Sequence, residues 1–177
     1  MKPQNIGAAS LLGSLLVFCW MVTPGLSQMI TAPKARDGER LDRIRVEIFL
    51  AREEREHAQV IQKEFAAASL NNLHFQFFRA GYPPPNVGIG SDVPAESAQL
   101  SIRLAKEYNR DVKYLLPEDF LPKNFITIGS SAFDETVPVP VTSEEVQQLL
   151  DPNLHTEEFH RLYRKLTDTG KETLRPY

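Results

Sequence analysis

Two short segments of the sequence place glycine and serine directly after a predicted strand, where they could contact a ligand. Glycine lets a ligand approach the backbone closely, and the free amides at the start of a following helix attract anions. In the structural alternative, the glycine only turns the chain and the polar residue after it caps the helix. The six candidate ligand-binding residues are Gly90, Ser91 and Asp92 in the first segment and Gly129, Ser130 and Ser131 in the second.

The serines of these two segments also suggest a hydrolase. Ser91, Ser130 or Ser131 would serve as a nucleophile if a histidine or lysine lay beside it as a base. None of the four histidines stands in a catalytic or zinc-binding spacing. The Gly-x-Gly pattern also lacks the third glycine of a dinucleotide-binding loop. We therefore predict no catalytic residue, no metal site and no cofactor.

An apolar stripe near the C-terminus is a candidate partner-binding surface. Its residues recur at helical spacing in a segment that begins at Thr156. Such a stripe either packs on its own domain, which is the more ordinary outcome, or enters the groove of a partner protein. The residues of the stripe are Phe159, Leu162, Tyr163 and Leu166.

The elements that must position these residues follow from the hydrophobic periodicity. Residues 44–50 alternate with period two, as in a strand, and the period becomes helical after Ala51. Glu56–Val60 is similar to Glu96–Leu100, which indicates that one β-α-β unit occurs twice. The remaining predicted elements are strands at 73–78, 87–89, 112–116 and 125–128 and a second helix at 95–108.

Two β-α-β units joined by a hairpin predict an α+β fold, a ferredoxin-like βαββαβ sandwich with both helices on one face of the sheet. The fifth strand, at 125–128, is expected to be an extra edge strand. A proline-rich extended connector at 137–141 precedes two short C-terminal helices, of which the first begins with a capping box of Thr142 and Glu145.

This order of elements over about residues 43–130 is similar to that of small cell-envelope modules. Examples are the sporulation-related repeat domain, which binds cell-wall glycan, and the C-terminal domain of LytR-type proteins. The resemblance is one of architecture without a shared sequence motif, so it implies a binding module but assigns no binding residue.

The N-terminal segment differs from the rest of the chain. Lys2 precedes an uncharged apolar run at residues 6–22, which Pro24 and Gly25 end. This pattern is typical of a secretory signal cut before Gln28, and an uncleaved membrane anchor is the alternative. In both cases we expect the rest of the chain outside the cytoplasm, either periplasmic or secreted, or held at the membrane by this segment alone.

Composition limits the class of partner. A net charge of -3 and a hydrophobic fraction of 42% are typical of a globular domain and do not favour nucleic-acid binding, which needs a basic surface. The predicted organisation is a signal or anchor at 1–27, a tether at 28–40, an α/β domain at 41–135, and a linker with C-terminal helices at 136–177.

The leading hypothesis from the sequence is an exported or anchored envelope protein whose small α/β module binds a protein, peptide or cell-wall partner. A binding module is favoured over an enzyme because no catalytic constellation is evident. The two alternatives are the exported serine hydrolase and an anchored extracytoplasmic sensor domain.

Overall fold

The computed structural model describes the backbone of residues 41–172 and the side chains as far as Asp168. The predicted signal or anchor at 1–27 and the predicted tether at 28–40 lie outside the described residues. Within residues 41–172, no helix is long and apolar enough to cross a membrane.

Each predicted β-α-β unit forms two adjacent parallel strands with a helix between them in the chain. The alternation expected at residues 44–50 is present only as far as Ile48. From Ile48 to Ala51 every residue of the first strand is buried, because this strand lies inside the sheet. The first unit consists of β1 (Arg45–Ala51), α1 (His57–Ala67) and β2 (Asn72–Phe78), and the second of β3 (Asn86–Ile89), α2 (Ala95–Tyr108) and β4 (Tyr114–Leu116).

The C-terminal part of the chain continues the same domain. The connector predicted at 137–141 contributes a short strand that pairs antiparallel with β4. Thr142 and Glu145 form the predicted capping box, with the Glu145 amide donating to Thr142 Oγ1 over 3.2 Å. The elements after the second unit are β5 (Phe125–Ile128), β6 (Val139–Pro140), α3 (Ser143–Leu149) and α4 (Thr156–Glu172).

The strands form one mixed six-stranded sheet in the order β2-β1-β5-β3-β4-β6. The fold is therefore α+β, as predicted, but β5 was expected at an edge and instead lies in the centre, parallel to β1 and antiparallel to β3. The ferredoxin-like arrangement is not confirmed, because that arrangement splits each β-α-β unit with another strand. Here the two strands of each unit are neighbours, and β5 joins one unit to the other.

The hydrophobic core lies between the sheet and the helices. Ile48 pairs with Ile128, which pairs with Val87, so the central strands present a continuous apolar row. Helices α1 and α2 contribute Phe65 and Ile102 to the same buried cluster. Since α4 also packs into this cluster, residues 136–172 are not a separate appendage of the α/β domain.

Candidate functional site

An open cleft of about 1000 Å³ lies where the carboxyl ends of β3 and β4 meet the start of α4. Ligands of α/β sheets commonly bind in such a crevice beyond the carboxyl ends of parallel strands. Side chains from the loop after β3, from the first turn of α2 and from the N-terminal half of α4 line the cleft, together with Leu41. Its charged and hydroxyl residues are Ser91, Asp92, Glu96, Thr156, Glu157, His160, Arg161 and Arg164.

A network of ionisable side chains lies beside this cleft, and two of its members, His160 and Arg164, line the cleft. Glu118 follows β4, and its side chain and that of His160 are each only 5% exposed. His160 Nδ1 lies 2.6 Å from Glu118 Oε1, and Arg164 donates to the other carboxylate oxygen over 3.1 Å. Burial of a carboxylate is costly unless it is paired, and both oxygens of Glu118 have a partner.

The second nitrogen of His160 is also occupied. His160 Nε2 lies 2.7 Å from the carbonyl oxygen of Val93, which only accepts hydrogen bonds, so this nitrogen carries a proton. Nδ1 in turn contacts the Glu118 carboxyl group. His160 therefore has no free nitrogen with which to act as a base.

Tyr163 fixes α4 to the ends of the two parallel strands. Its hydroxyl donates to the carbonyl oxygen of Leu116 over 2.8 Å and accepts from the amide of Ile89 over 3.2 Å. Complete burial raises the pKa of the Tyr163 hydroxyl well above its ordinary value of 10.0. The hydroxyl consequently stays protonated and holds β3, β4 and α4 together.

Helix α4 is also attached to the beginning of α2. The amide of Ala95, the first residue of α2, donates to Thr156 Oγ1 over 3.2 Å. The Thr156 hydroxyl of α4 therefore satisfies one of the free amides at the start of α2. Gln99 donates to the carbonyl oxygens of Leu149 and Asp151. These contacts join α2 to the end of α3 and to the start of α4 beside the cleft.

The residues predicted in the first segment lie at the cleft. Ser91 and Asp92 line it, and Ser91 donates weakly to Asp92 over 3.4 Å. Gly90 has a structural role, because a Cβ atom there would collide with the backbone carbonyls of Pro122 and Lys123. Its amide donates to Phe125, which ties the loop to β5.

The second predicted segment lies at the opposite end of the sheet. Strands β3 and β5 are antiparallel, so Gly129 after β5 lies beside Asn86 at the start of β3 and far along the strand from Gly90. Gly129 has a φ of +76°, which favours glycine. Ser130 is buried and accepts from the amide of Ala132, whereas Ser131 is exposed. The structure therefore does not bring the two segments into one site.

None of the hydrogen bonds described for Ser91 and Ser130 involves a histidine or a lysine. Within residues 41–168, no group of three or more His, Cys, Asp and Glu side chains could hold a metal ion.

The C-terminal apolar stripe packs on its own domain, which is the first of the two alternatives stated for it. Phe159 and Tyr163 are fully buried, Leu166 is buried and Leu162 is partly covered. The stripe is therefore part of the core and is not a surface offered to a partner.

Glu118, His160 and Arg164 are not among the site residues predicted from the sequence. A signal was present, because His160, Tyr163 and Thr167 recur at helical spacing on the buried side of α4, and polar residues on a buried side require partners. The partner Glu118, in contrast, lies 42 residues from His160 and has no local pattern that marks it.

No family model matches the chain, and comparisons with curated proteins and with solved structures also find no match.

Proposed function

We propose that the protein is an extracytoplasmic binding module that holds a protein, peptide or cell-wall partner in the cleft at the start of α2 and α4. The observation that carries this proposal is an open cleft lined by charges of both signs. Asp92, Glu96 and Glu157 supply negative charge, and Arg161 and Arg164 supply positive charge.

The charge distribution favours a polar partner that itself carries both signs of charge. Arg161 is 77% exposed at its side chain and has only a loose contact of 3.9 Å with Glu158. Its guanidinium is therefore available to a carboxylate of the partner, and the neighbouring acids suit an amine or amide of the same partner. A peptide or the peptide part of a cell wall has this chemistry.

Binding by the mature full-length protein to extracts of its host's envelope, and to purified cell-wall fragments, tests the cleft. We expect Arg161→Glu to reduce retention of the partner about tenfold or more, a loss typical of a truncated interfacial ion pair. Arg103→Glu is the matched control, because Arg103 is an exposed arginine of α2 outside the cleft. Equal binding by the two variants would contradict the proposed site.

The location outside the cytoplasm is proposed from the N-terminal sequence alone. The apolar run at 6–22 followed by Pro24 and Gly25 supports either a cleaved signal or a retained anchor. The mass of the mature protein separates the two, since a chain that begins at Gln28 excludes the anchor. Recovery of the uncleaved protein in the cytoplasmic fraction would contradict export.

A further inference from the structure

The two edges of the sheet differ in how open they are to another strand. At one edge, β6 has two residues, and Pro140 lacks the amide hydrogen that a further strand would need. At the other edge, β2 has seven residues and pairs with β1 along its whole length. No described strand lies on the outer side of β2. A long edge of this kind is a template for pairing with another extended chain.

The side chains of β2 alternate between the two faces of the sheet. Leu73, Phe75 and Phe77 are half-buried beside the core, whereas His74 and Gln76 are exposed. Backbone amide and carbonyl groups also alternate in direction along a strand, so part of those of β2 point outward, away from β1. An added strand would hydrogen-bond to these groups and cover the remaining apolar surface.

The sequence of β2 is compatible with pairing to itself. The strand Asn72–Phe78 contains no Asp, Glu, Lys or Arg, so two copies can meet without repulsion between charges. In an antiparallel arrangement about a two-fold axis, the register that pairs all seven residues is centred on Phe75. That register places Leu73 opposite Phe77 and His74 opposite Gln76, so the inner pairs match apolar with apolar and polar with polar residues. Only the outermost pair, Asn72 opposite Phe78, is mixed.

We propose that the protein forms a homodimer in which β2 of one copy pairs antiparallel with β2 of a second copy. The two sheets then become continuous across the two-fold axis, and the helices of both copies stay on the same side. The proposal does not depend on the cleft, because the cleft lies at the strand ends and β2 lies at the sheet edge.

Sedimentation equilibrium of the full chain, with detergent where the N-terminal segment requires it, tests the dimer. We expect the wild-type protein to be dimeric at about 10 to 100 μM. The double variant H74K/Q76K places two lysines opposite two lysines across the axis, and we expect it to raise the dimer dissociation constant tenfold or more. The matched variant H74K/Q76E places opposite charges at the same positions, and we expect it to stay dimeric.

Both variants change only exposed side chains, and circular dichroism verifies that each remains folded. A wild-type protein that is monomeric at about 100 μM overturns the proposal. The edge of β2 would then be open to a foreign peptide or to another segment of the chain. Equal dissociation constants for the two double variants overturn it as well, because an interface elsewhere would not distinguish them.

Discussion

The two ends of the central strand pair β3–β5 carry similar sequences and have different structural roles. At one end, Gly90 lets the chain at Pro122 and Lys123 pass against the backbone. At the other end, Gly129 adopts a left-handed conformation at a turn. A glycine followed by serine at the end of a strand thus indicates a tight backbone, and it does not by itself indicate a ligand site.

The buried polar groups at the two ends differ in the same way. At the cleft end, Glu118 is ionisable, and both of its carboxyl oxygens have partners on α4. At the Gly129 end, Asn86 and Asn109 are neutral, and their amide nitrogens donate to loop carbonyls. Their amide oxygens are buried without a partner among the described residues. The buried Glu118 and His160 thus lie where α4 closes over the strand ends, and the cleft lies at that end.

Removal of the buried carboxyl group of Glu118 should cause the largest loss of stability at the cleft end. Glu118→Gln leaves His160 and Arg164 without a carboxylate, and we expect the free energy of unfolding to fall by about 3 kcal/mol or more. Urea denaturation measures the change. Glu144→Gln, at an exposed helix start, is the control and should change stability by less than about 0.5 kcal/mol. A loss below about 1 kcal/mol for Glu118→Gln would show that the network does not hold the cleft end together.

A methyl group at Gly90 should have the next largest effect. The new Cβ of Gly90→Ala would overlap two backbone carbonyls, so part of the loop at 122–123 must move. We expect a loss of about 2 to 3 kcal/mol in thermal or urea unfolding. The same substitution should weaken partner binding, because Ser91 and Asp92 follow directly. An unchanged stability would be inconsistent with the close approach of the two backbones.

Tyr163→Phe removes the hydroxyl that joins α4 to β3 and β4, and we expect a loss of about 1 to 3 kcal/mol at neutral pH. The pKa of Tyr163 is raised in the folded protein, so its contribution is complete below pH 10 and decreases at higher pH, where only the unfolded chain ionises. The difference in the free energy of unfolding between wild type and Tyr163→Phe should therefore decrease by about 1.4 kcal/mol per pH unit above pH 10. Unfolding curves recorded from pH 8 to 11 measure it, and a constant difference would refute the assignment.

The smallest of these effects should occur at the opposite end of the sheet. Gly129→Ala places a side chain at a φ of +76°, and we expect a loss of about 1 to 2 kcal/mol. Partner binding should remain at the wild-type level, because the residue is remote from the cleft. A selective loss of binding with unchanged stability would instead favour a site at this end.

Local patterns explain which elements could be predicted from the sequence. The capping box at Thr142 and the helix at 95–108 depend on residues a few positions apart, and both are confirmed. The central position of β5 depends on pairing with β1, whose residues lie about eighty positions earlier in the chain, and periodicity carries no information about that. The partnership of Glu118 with His160 is equally non-local. Of the predicted ligand-binding residues, only Ser91 and Asp92 line the cleft.

The attachment of α4 to β3 also has a consequence for the order of synthesis. Tyr163 bonds to Val87, which is made 76 residues earlier, and His160 bonds to Val93, 67 residues earlier. A nascent chain that has not yet reached α4 contains Glu118 and the strand ends without the groups that satisfy them. The contacts of the cleft end are thus complete only after α4 has been made, since such distant contacts form late.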